Sequence, residues 1–154
     1  MYLRFELEGD LHRTLEFIPL AVRRKLDLVG LKLSLKAWTA MPRAERLAVC
    51  HLPVDGPGDL EVYREALAAF AERAGHPVAP LEGGPLDGSA WGAARIPESV
   101  AARAPKLSLA QWSALPEEAR YVLFRLAEPR PTPRRPRARL RAARRDARRA
   151  RQSR

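Results

Sequence analysis

The chain has 154 residues and a formal net charge of +10, which is distributed very unevenly. Residues 1–128 carry 16 basic and 17 acidic side chains, a net charge of −1, whereas residues 129–154 carry 12 arginines and one aspartate, a net charge of +11. The overall charge therefore does not mark residues 1–128 as a polyanion-binding domain. The single cysteine, Cys50, excludes an internal disulfide and a four-cysteine metal site, and it fits a reducing compartment.

Two parts are expected, a folded domain over residues 1–128 and a basic Pro- and Arg-rich tail over residues 129–154. A domain of about 128 residues buries enough surface to form a stable core without a disulfide or a structural metal. The sequence shows neither a signal-peptide pattern nor a run of about 18 apolar residues. We therefore expect a cytoplasmic protein that has no membrane partner.

The N-terminal region predicts a strand and then a helix. Apolar and charged residues alternate over positions 3–7, a pattern typical of a short half-buried strand. Pro19 suits the start of a helix that runs to Leu28 or Val29 and stops at Gly30. The apolar face of this helix comprises Val22, Leu26 and Val29.

Three further helices follow in quick succession. Ser34 is placed to cap a short helix that carries Trp38, and Pro42 opens another helix, Pro42–Leu52. The clearest helix extends over Asp59–Ala74 and is stopped by Gly75. Its apolar stripe comprises Leu60, Tyr63, Leu67, Phe70 and Ala74.

The segment His76–Arg95 has the composition of a loop. It contains four glycines and three prolines among 20 residues. This is longer than most connections in compact domains, so two interpretations stay open, a functional loop and a mobile one.

An internal repeat relates residues 18–53 to residues 96–127. Lys32–Leu35 recurs without change at Lys106–Leu109, an offset of 74 residues that also holds for four later pairs: Trp38 and Trp112, Pro42 and Pro116, Arg46 and Arg120, Leu52 and Leu126. Upstream, Ile18-Pro19 is matched by Ile96-Pro97 at an offset of 78. The difference predicts that the first helix of the second copy is shorter.

The repeated spacing has a physical reason. Ser34 and Ser108 can each accept a backbone N–H at the start of a helix, and a tryptophan follows four residues later, one turn along. We expect Trp38 and Trp112 to fill the interior of their units, the alternative being a surface binding role. The sequence thus predicts a mostly α protein: two related helix-turn-helix-like units joined by a helix and a long loop, followed by a disordered Arg-rich tail.

Four segments carry a resemblance to a known family. They are IPLAVRRKLDLVGLKLSLKAWTAMPRAERL, LPVDGPGDLEVYREAL, IPESV and LSLAQWSALPEEARYVLFRL. In this order they resemble the nitrate reductase associated protein family, over roughly Phe5 to Ala127. The Gly- and Pro-rich loop and the Arg-rich tail depart from the family pattern.

The resemblance implies a small cytoplasmic protein that is not an enzyme. It implies an accessory role in the activity or biogenesis of assimilatory nitrate reductase, with the reductase or its maturation machinery as the partner. It therefore names a pathway, nitrate assimilation, rather than a mechanism.

The residues themselves suggest no catalytic, metal or cofactor site. His12, His51 and His76 lie far apart and form no HxxxH or HExxH pattern. Cys50 and His51 are adjacent on a predicted helix, so their side chains diverge and do not form a nucleophile and base pair. No phosphate-binding glycine motif occurs. We therefore expect no cofactor.

A protein-docking face is the favoured kind of site. The candidates are charged residues of the family-like segments that a core would not require: Arg23, Lys25, Asp27, Lys32 and Lys106. The alternative is that they are solvated helix faces, with Asp27 in surface ion pairs with neighbouring arginines.

The tail is the second candidate interface. Pro129–Pro136 is expected to be extended, and residues 137–151 are expected to become helical on a polyanion. Such an arm would bind nucleic-acid phosphates or an acidic protein surface, and a passive extension is the alternative. The phosphate-binding candidates are Arg134, Arg135, Arg137, Arg139, Arg141, Arg144, Arg145, Arg148 and Arg149. The rival function is accordingly that of a nucleic-acid-associated protein.

Overall fold

A computed structural model describes residues 8–128 of the chain. Its elements are α1 (Leu11–Thr14), α2 (Leu20–Val29), β1 (Leu31–Lys32), α3 (Leu35–Ala40), α4 (Arg43–His51), α5 (Pro57–Arg73), β2 (Ala79–Pro80), a 3₁₀ helix (Gly88–Trp91), α6 (Glu98–Arg103), α7 (Leu109–Ala114) and α8 (Glu117–Ala127). The predicted mostly α fold class is confirmed. The predicted strand at positions 3–7 and the tail lie outside the described residues.

Helix α2 begins and ends where the sequence indicates. Pro19 is its N-cap, with extended backbone angles, and Gly30 ends it at a left-handed φ of 68°. A Cβ at Gly30 would lie 2.7 Å from the Pro85 ring, so glycine is required both by the backbone angle and by the close approach of this loop. The predicted apolar face of α2 is buried.

The two Ser-capped helices, α3 and α7, also follow the prediction. Ser34 Oγ accepts the Ala37 N–H at 3.0 Å, and Ser108 Oγ accepts the Gln111 N–H at 3.2 Å. Trp38 and Trp112, one on each helix, are both completely buried. Both caps and the interior placement of the tryptophans are therefore confirmed.

The lengths of α2 and α6 differ as the change of offset predicts. Helix α2 has 10 residues and α6 has six, so the second helix is four residues shorter. We use "first unit" for residues 18–53 and "second unit" for residues 96–127. The repeat that relates them stays a prediction from the sequence.

Helix α5 starts two residues before the predicted Asp59. Pro57 occupies its first position, where a missing N–H has no cost, and Gly56 is the N-cap. Asp59 occupies the third position of the helix, and its side chain accepts the Gly56 N–H at 3.3 Å. Its predicted stripe does face the core, with Tyr63 and Leu67 completely buried.

The segment His76–Arg95 is more structured than a simple loop, which corrects the expectation from composition. β2 pairs antiparallel with β1, and the 3₁₀ helix buries Trp91 completely. The Leu86 N–H donates to the Asp27 carbonyl oxygen at 2.8 Å. Sequence composition missed these anchors because each is a single long-range contact rather than a periodic pattern.

Two hydrophobic cores organise the described residues. The first is built around Trp38 by α2, α3, α4 and α5, and the second around Trp91 and Trp112 by α6, α7, α8 and the 3₁₀ helix. Helix α2 contacts α8, and Leu28 packs against both cores. The contact between α2 and α8 thus joins the two units.

Candidate functional site

The five predicted docking residues separate into exposed and buried groups. Arg23, Lys32 and Lys106 are exposed, each on a different element or turn. Lys25 is only 7% exposed and Asp27 only 5%. The expectation of a docking face is therefore wrong for Lys25 and Asp27, which contact the chain itself, and it stays a prediction for the other three.

Lys25 closes the end of helix α4. Its Nζ donates to the carbonyl oxygen of Cys50 at 2.7 Å and to that of Leu52 at 2.5 Å. These carbonyls lie at the negative end of the helix dipole, where a cation is favourable. The Nζ also lies 5.6 Å from the centre of the Tyr63 ring on α5. Burial lowers the pKa of Lys25 from its ordinary value.

Asp27 joins the two units instead of pairing with its arginine neighbours at the surface. The Tyr121 hydroxyl on α8 donates to Asp27 Oδ2 at 2.6 Å, and Arg125 Nε lies 3.5 Å from the same oxygen. Burial, followed by the charge of Asp27 and this hydrogen bond, raises the pKa of the Tyr121 hydroxyl. The pair is a buried cross-link between α2 and α8.

Glu117 forms the second cross-link between the units. Arg24 holds its carboxylate with two guanidinium nitrogens, and Trp91 Nε1 donates to Glu117 Oε1 at 2.6 Å. Partial burial by itself would raise the pKa of Glu117, but the hydrogen bonds from Arg24 and Trp91 and the charges of Arg24 and Arg120 lower it overall.

The two units also anchor their tryptophans in similar ways. Trp38 Nε1 donates to the Leu15 carbonyl oxygen at 2.7 Å, and Arg46 donates to the same oxygen at 2.8 Å. Trp112 Nε1 donates to the Gly92 carbonyl oxygen at 2.9 Å. Arg120, which the repeat pairs with Arg46, donates to the carbonyl oxygen of Trp91 at 2.9 Å. Arg46 and Arg120 thus each bind a backbone carbonyl of the segment that precedes their unit.

Sequence reasoning missed Glu117 and Tyr121 as residues that join the units, and it missed Trp91 as a core residue that donates to Glu117. Trp91 had one available signal, because it is a large aromatic residue within a glycine-rich segment and such a side chain is normally buried. Glu117 lies in the first turn of α8, where an acidic residue is favourable in any helix, so its position alone gives no signal of a long-range contact. Its contact with Arg24 spans 93 positions and has no local pattern.

The described residues include an open apolar groove and several exposed apolar side chains. A groove of about 130 Å³ lies between α6 and α8. Larger apolar side chains that remain exposed are Phe17, Leu35, Val62, Leu109, Leu123 and Leu126. Leu35 and Leu109 hold equivalent positions at the starts of α3 and α7.

Residues 8–128 bring together no group of three or more His, Cys, Asp or Glu side chains that would hold a metal ion. His51 and His76 are exposed at separate places, and Cys50 is buried. None of the helices in this part of the chain combines the length and the apolar composition that a membrane span requires.

A comparison with protein-family models places most of the chain within one family. The model of the conserved nitrate reductase-associated protein matches residues 4–142. The match continues past Ala127 into the basic segment, so the expectation that the tail lies wholly outside the family pattern is corrected for residues 129–142. Neither the curated proteins nor the solved structures contain a significant match. Because the model covers most of the sequence, the chain belongs to the conserved nitrate reductase-associated protein family.

Proposed function

We propose that the chain is a non-enzymatic accessory protein of assimilatory nitrate reductase, acting by protein contact on the activity or biogenesis of that enzyme in the cytoplasm. The observation that carries this proposal is the family match over residues 4–142. The name of the family states an association with the reductase, and the direct contact is our inference.

The architecture supports a role in binding. The buried charged residues Lys25 and Asp27 are engaged by the chain itself, and two cross-links, Asp27 with Tyr121 and Arg24 with Glu117, hold the units together. Such a scaffold presents surface side chains at fixed positions, which lowers the entropic cost of binding a protein partner. Arg23, Lys32 and Lys106 are available for that contact.

The test compares nitrate reductase in cells with and without this chain, followed by direct binding of the two purified proteins. We expect reduced reductase activity without the chain and restoration by the full-length protein. A variant of residues 1–128 distinguishes a role of the helical body from a role of the tail. Full reductase activity in cells that lack the chain would contradict the proposal.

A second candidate is binding of nucleic acid through the tail. The net charge of +11 on residues 129–154 favours it, because arginines that neutralise phosphates release counterions. We expect affinity for duplex DNA or RNA to fall steeply with salt and to be lost without residues 129–154. Equal binding by residues 1–128 would contradict this candidate.

A further inference from the structure

The groove between α6 and α8 is apolar and open to solvent. It is lined by five aliphatic side chains and one arginine: Val100, Arg103, Ala104, Leu123, Leu126 and Ala127. Both leucines of the lining are accessible to solvent, Leu123 at 37% and Leu126 at 58%. The lining contains no acidic side chain.

The corresponding positions of the first unit are covered. The offset of 78 residues pairs the α6 side of the groove with Val22, Lys25 and Leu26 on α2, and the offset of 74 pairs Leu123 and Leu126 with Val49 and Leu52 on α4. Val49 is completely buried and Lys25 is 7% exposed, whereas Leu123 is 37% exposed and Arg103 is exposed. Val22 and Val100 are both buried.

The cover in the first unit is helix α5. It contacts both α2 and α4, and it contributes Tyr63 and Leu67 to the first core. The Tyr63 ring lies over the ammonium group of Lys25, the residue that corresponds to Arg103. Among residues 8–128, no helix takes the place of α5 over α6 and α8.

We propose that the groove between α6 and α8 docks an acidic amphipathic helix of the protein partner, seated as α5 is seated on α2 and α4. The apolar stripe of that helix contacts Leu123 and Leu126, and its acidic residues face Arg103 and Lys106, which follows α6 by three positions. Helix α5 has this chemistry, with four acids and two arginines beside its apolar stripe. The identity of the partner rests on the proposed function.

The tail of the chain is a poorer occupant than a partner helix. Residues 129–154 contain a single leucine, Leu140, and no aromatic residue, whereas α5 supplies two leucines, a tyrosine and a phenylalanine. The 12 arginines of the tail would also repel Arg103. Hydrophobic burial and charge therefore both favour an acidic helix from another protein.

The experiment uses the full-length chain and two probes. One probe is a fluorescent peptide with the sequence of residues 57–73, followed by anisotropy, and the other is purified nitrate reductase holoenzyme. The variants are Leu126→Glu and Arg103→Glu. Val62→Glu is the matched control, because Val62 is 56% exposed on α5, close to the exposure of Leu126.

We expect both groove variants to weaken peptide binding by about tenfold or more and the control to leave it unchanged. Nitrate reductase should likewise bind the unmodified chain and Val62→Glu more tightly than Leu126→Glu or Arg103→Glu. Equal peptide binding by Leu126→Glu, Val62→Glu and the unmodified chain would overturn the groove assignment, even if the reductase still binds. Groove-dependent peptide binding without any reductase binding would instead overturn the proposed function and retain the docking site.

Two other occupants of the groove are distinguished in the same preparation. If Leu140→Glu strengthened peptide binding, the tail would be the occupant and the proposal would be overturned. If sedimentation showed a dimer of the unmodified chain that Leu126→Glu dissociates, the occupant would be a second copy, and the proposal would likewise be overturned.

Discussion

The first and second units begin with the same local chemistry and reach different degrees of burial. Each has a Ser-capped helix with a completely buried tryptophan. The first core contains 16 buried residues, of which α5 supplies Tyr63, Leu67 and Ala71, and the second contains six. Local sequence therefore determines how each unit starts, and the elements that pack against a unit contribute to how much of it is removed from water.

The largest expected effect comes from truncating the two tryptophans. Trp38→Ala should lower the free energy of unfolding by about 4 kcal/mol and Trp112→Ala by about 3 kcal/mol, because the larger first core loses more packing around its cavity. Urea denaturation followed by circular dichroism measures both. A larger loss for Trp112→Ala would reverse the comparison of the two cores.

Asp27→Ala tests the cross-link between the units. It leaves the Tyr121 hydroxyl and Arg125 without their shared acceptor, so we expect a loss of about 2–3 kcal/mol in the free energy of unfolding. Asp27→Asn is the control, since its amide oxygen still accepts the Tyr121 hydrogen bond and the loss should be smaller. Equal losses for the two variants would show that this hydrogen bond does not stabilise the contact between α2 and α8.

Each core contains a buried tyrosine, and replacing each by phenylalanine compares a hydroxyl that donates a hydrogen bond with one that has no partner among residues 8–128. Tyr121→Phe should cost about 1–2 kcal/mol of unfolding free energy, because Asp27 loses a buried donor. Tyr63→Phe should cost nothing, because the Tyr63 hydroxyl is buried and has no hydrogen-bond partner in the described structure. Thermal unfolding of the two variants, measured side by side, checks the difference. A comparable loss of stability in Tyr63→Phe would contradict this account.

The two serine caps should contribute alike. Ser34→Ala and Ser108→Ala are each expected to lower stability by about 1 kcal/mol, since each leaves one N–H at a helix start without its acceptor. Gln111→Ala should lower stability by a few tenths of a kcal/mol, because it removes the hydrogen bond that the Gln111 side chain accepts from the Ser108 N–H in the capping box. Clearly unequal serine effects would show that tertiary contacts, rather than the caps, hold α3 and α7.

The last prediction concerns the pH dependence of stability that Glu117 contributes. Because the pKa of Glu117 is lowered in the folded protein, its contribution to stability is present above its ordinary value of 4.5 and is lost as the pH falls through the lower folded value. The partial exposure of its carboxylate limits the contribution to about 1 kcal/mol or less. Glu117→Gln should flatten the stability profile on the acid side, and an unchanged slope between pH 5 and about 3 would contradict this assignment.

The sequence predicted the helices whose boundaries carry chemical signals. Pro19 and Gly30 bound α2, the two serines cap α3 and α7, and the periodic stripe identified α5 to within two residues. Sequence also predicted that α6 would be shorter than α2. It did not predict the 3₁₀ helix, because the burial of Trp91 depends on contacts with α8 and not on its glycine-rich neighbours.

The candidate site was predicted less well than the fold. A charged residue in a helix looks the same in sequence whether it faces solvent or a buried partner. Lys25 and Asp27 were therefore grouped with Arg23, although one closes α4 and the other binds Tyr121. The role of the exposed residues Lys32 and Lys106 in docking stays a prediction, as does phosphate binding by the tail.

The sequence by itself determined the helical class, the repeated serine caps, the burial of Trp38 and Trp112 and the family to which the chain belongs. The helical class and the caps depend on neighbours within a few positions, where backbone geometry and helix periodicity leave few alternatives. Only the tertiary structure decided that Asp27 and Glu117 join the two units and that residues 8–128 leave the groove between α6 and α8 open. Those contacts join residues up to 94 positions apart, and their stability depends on burial and on the direction of a hydrogen bond, neither of which a local pattern encodes.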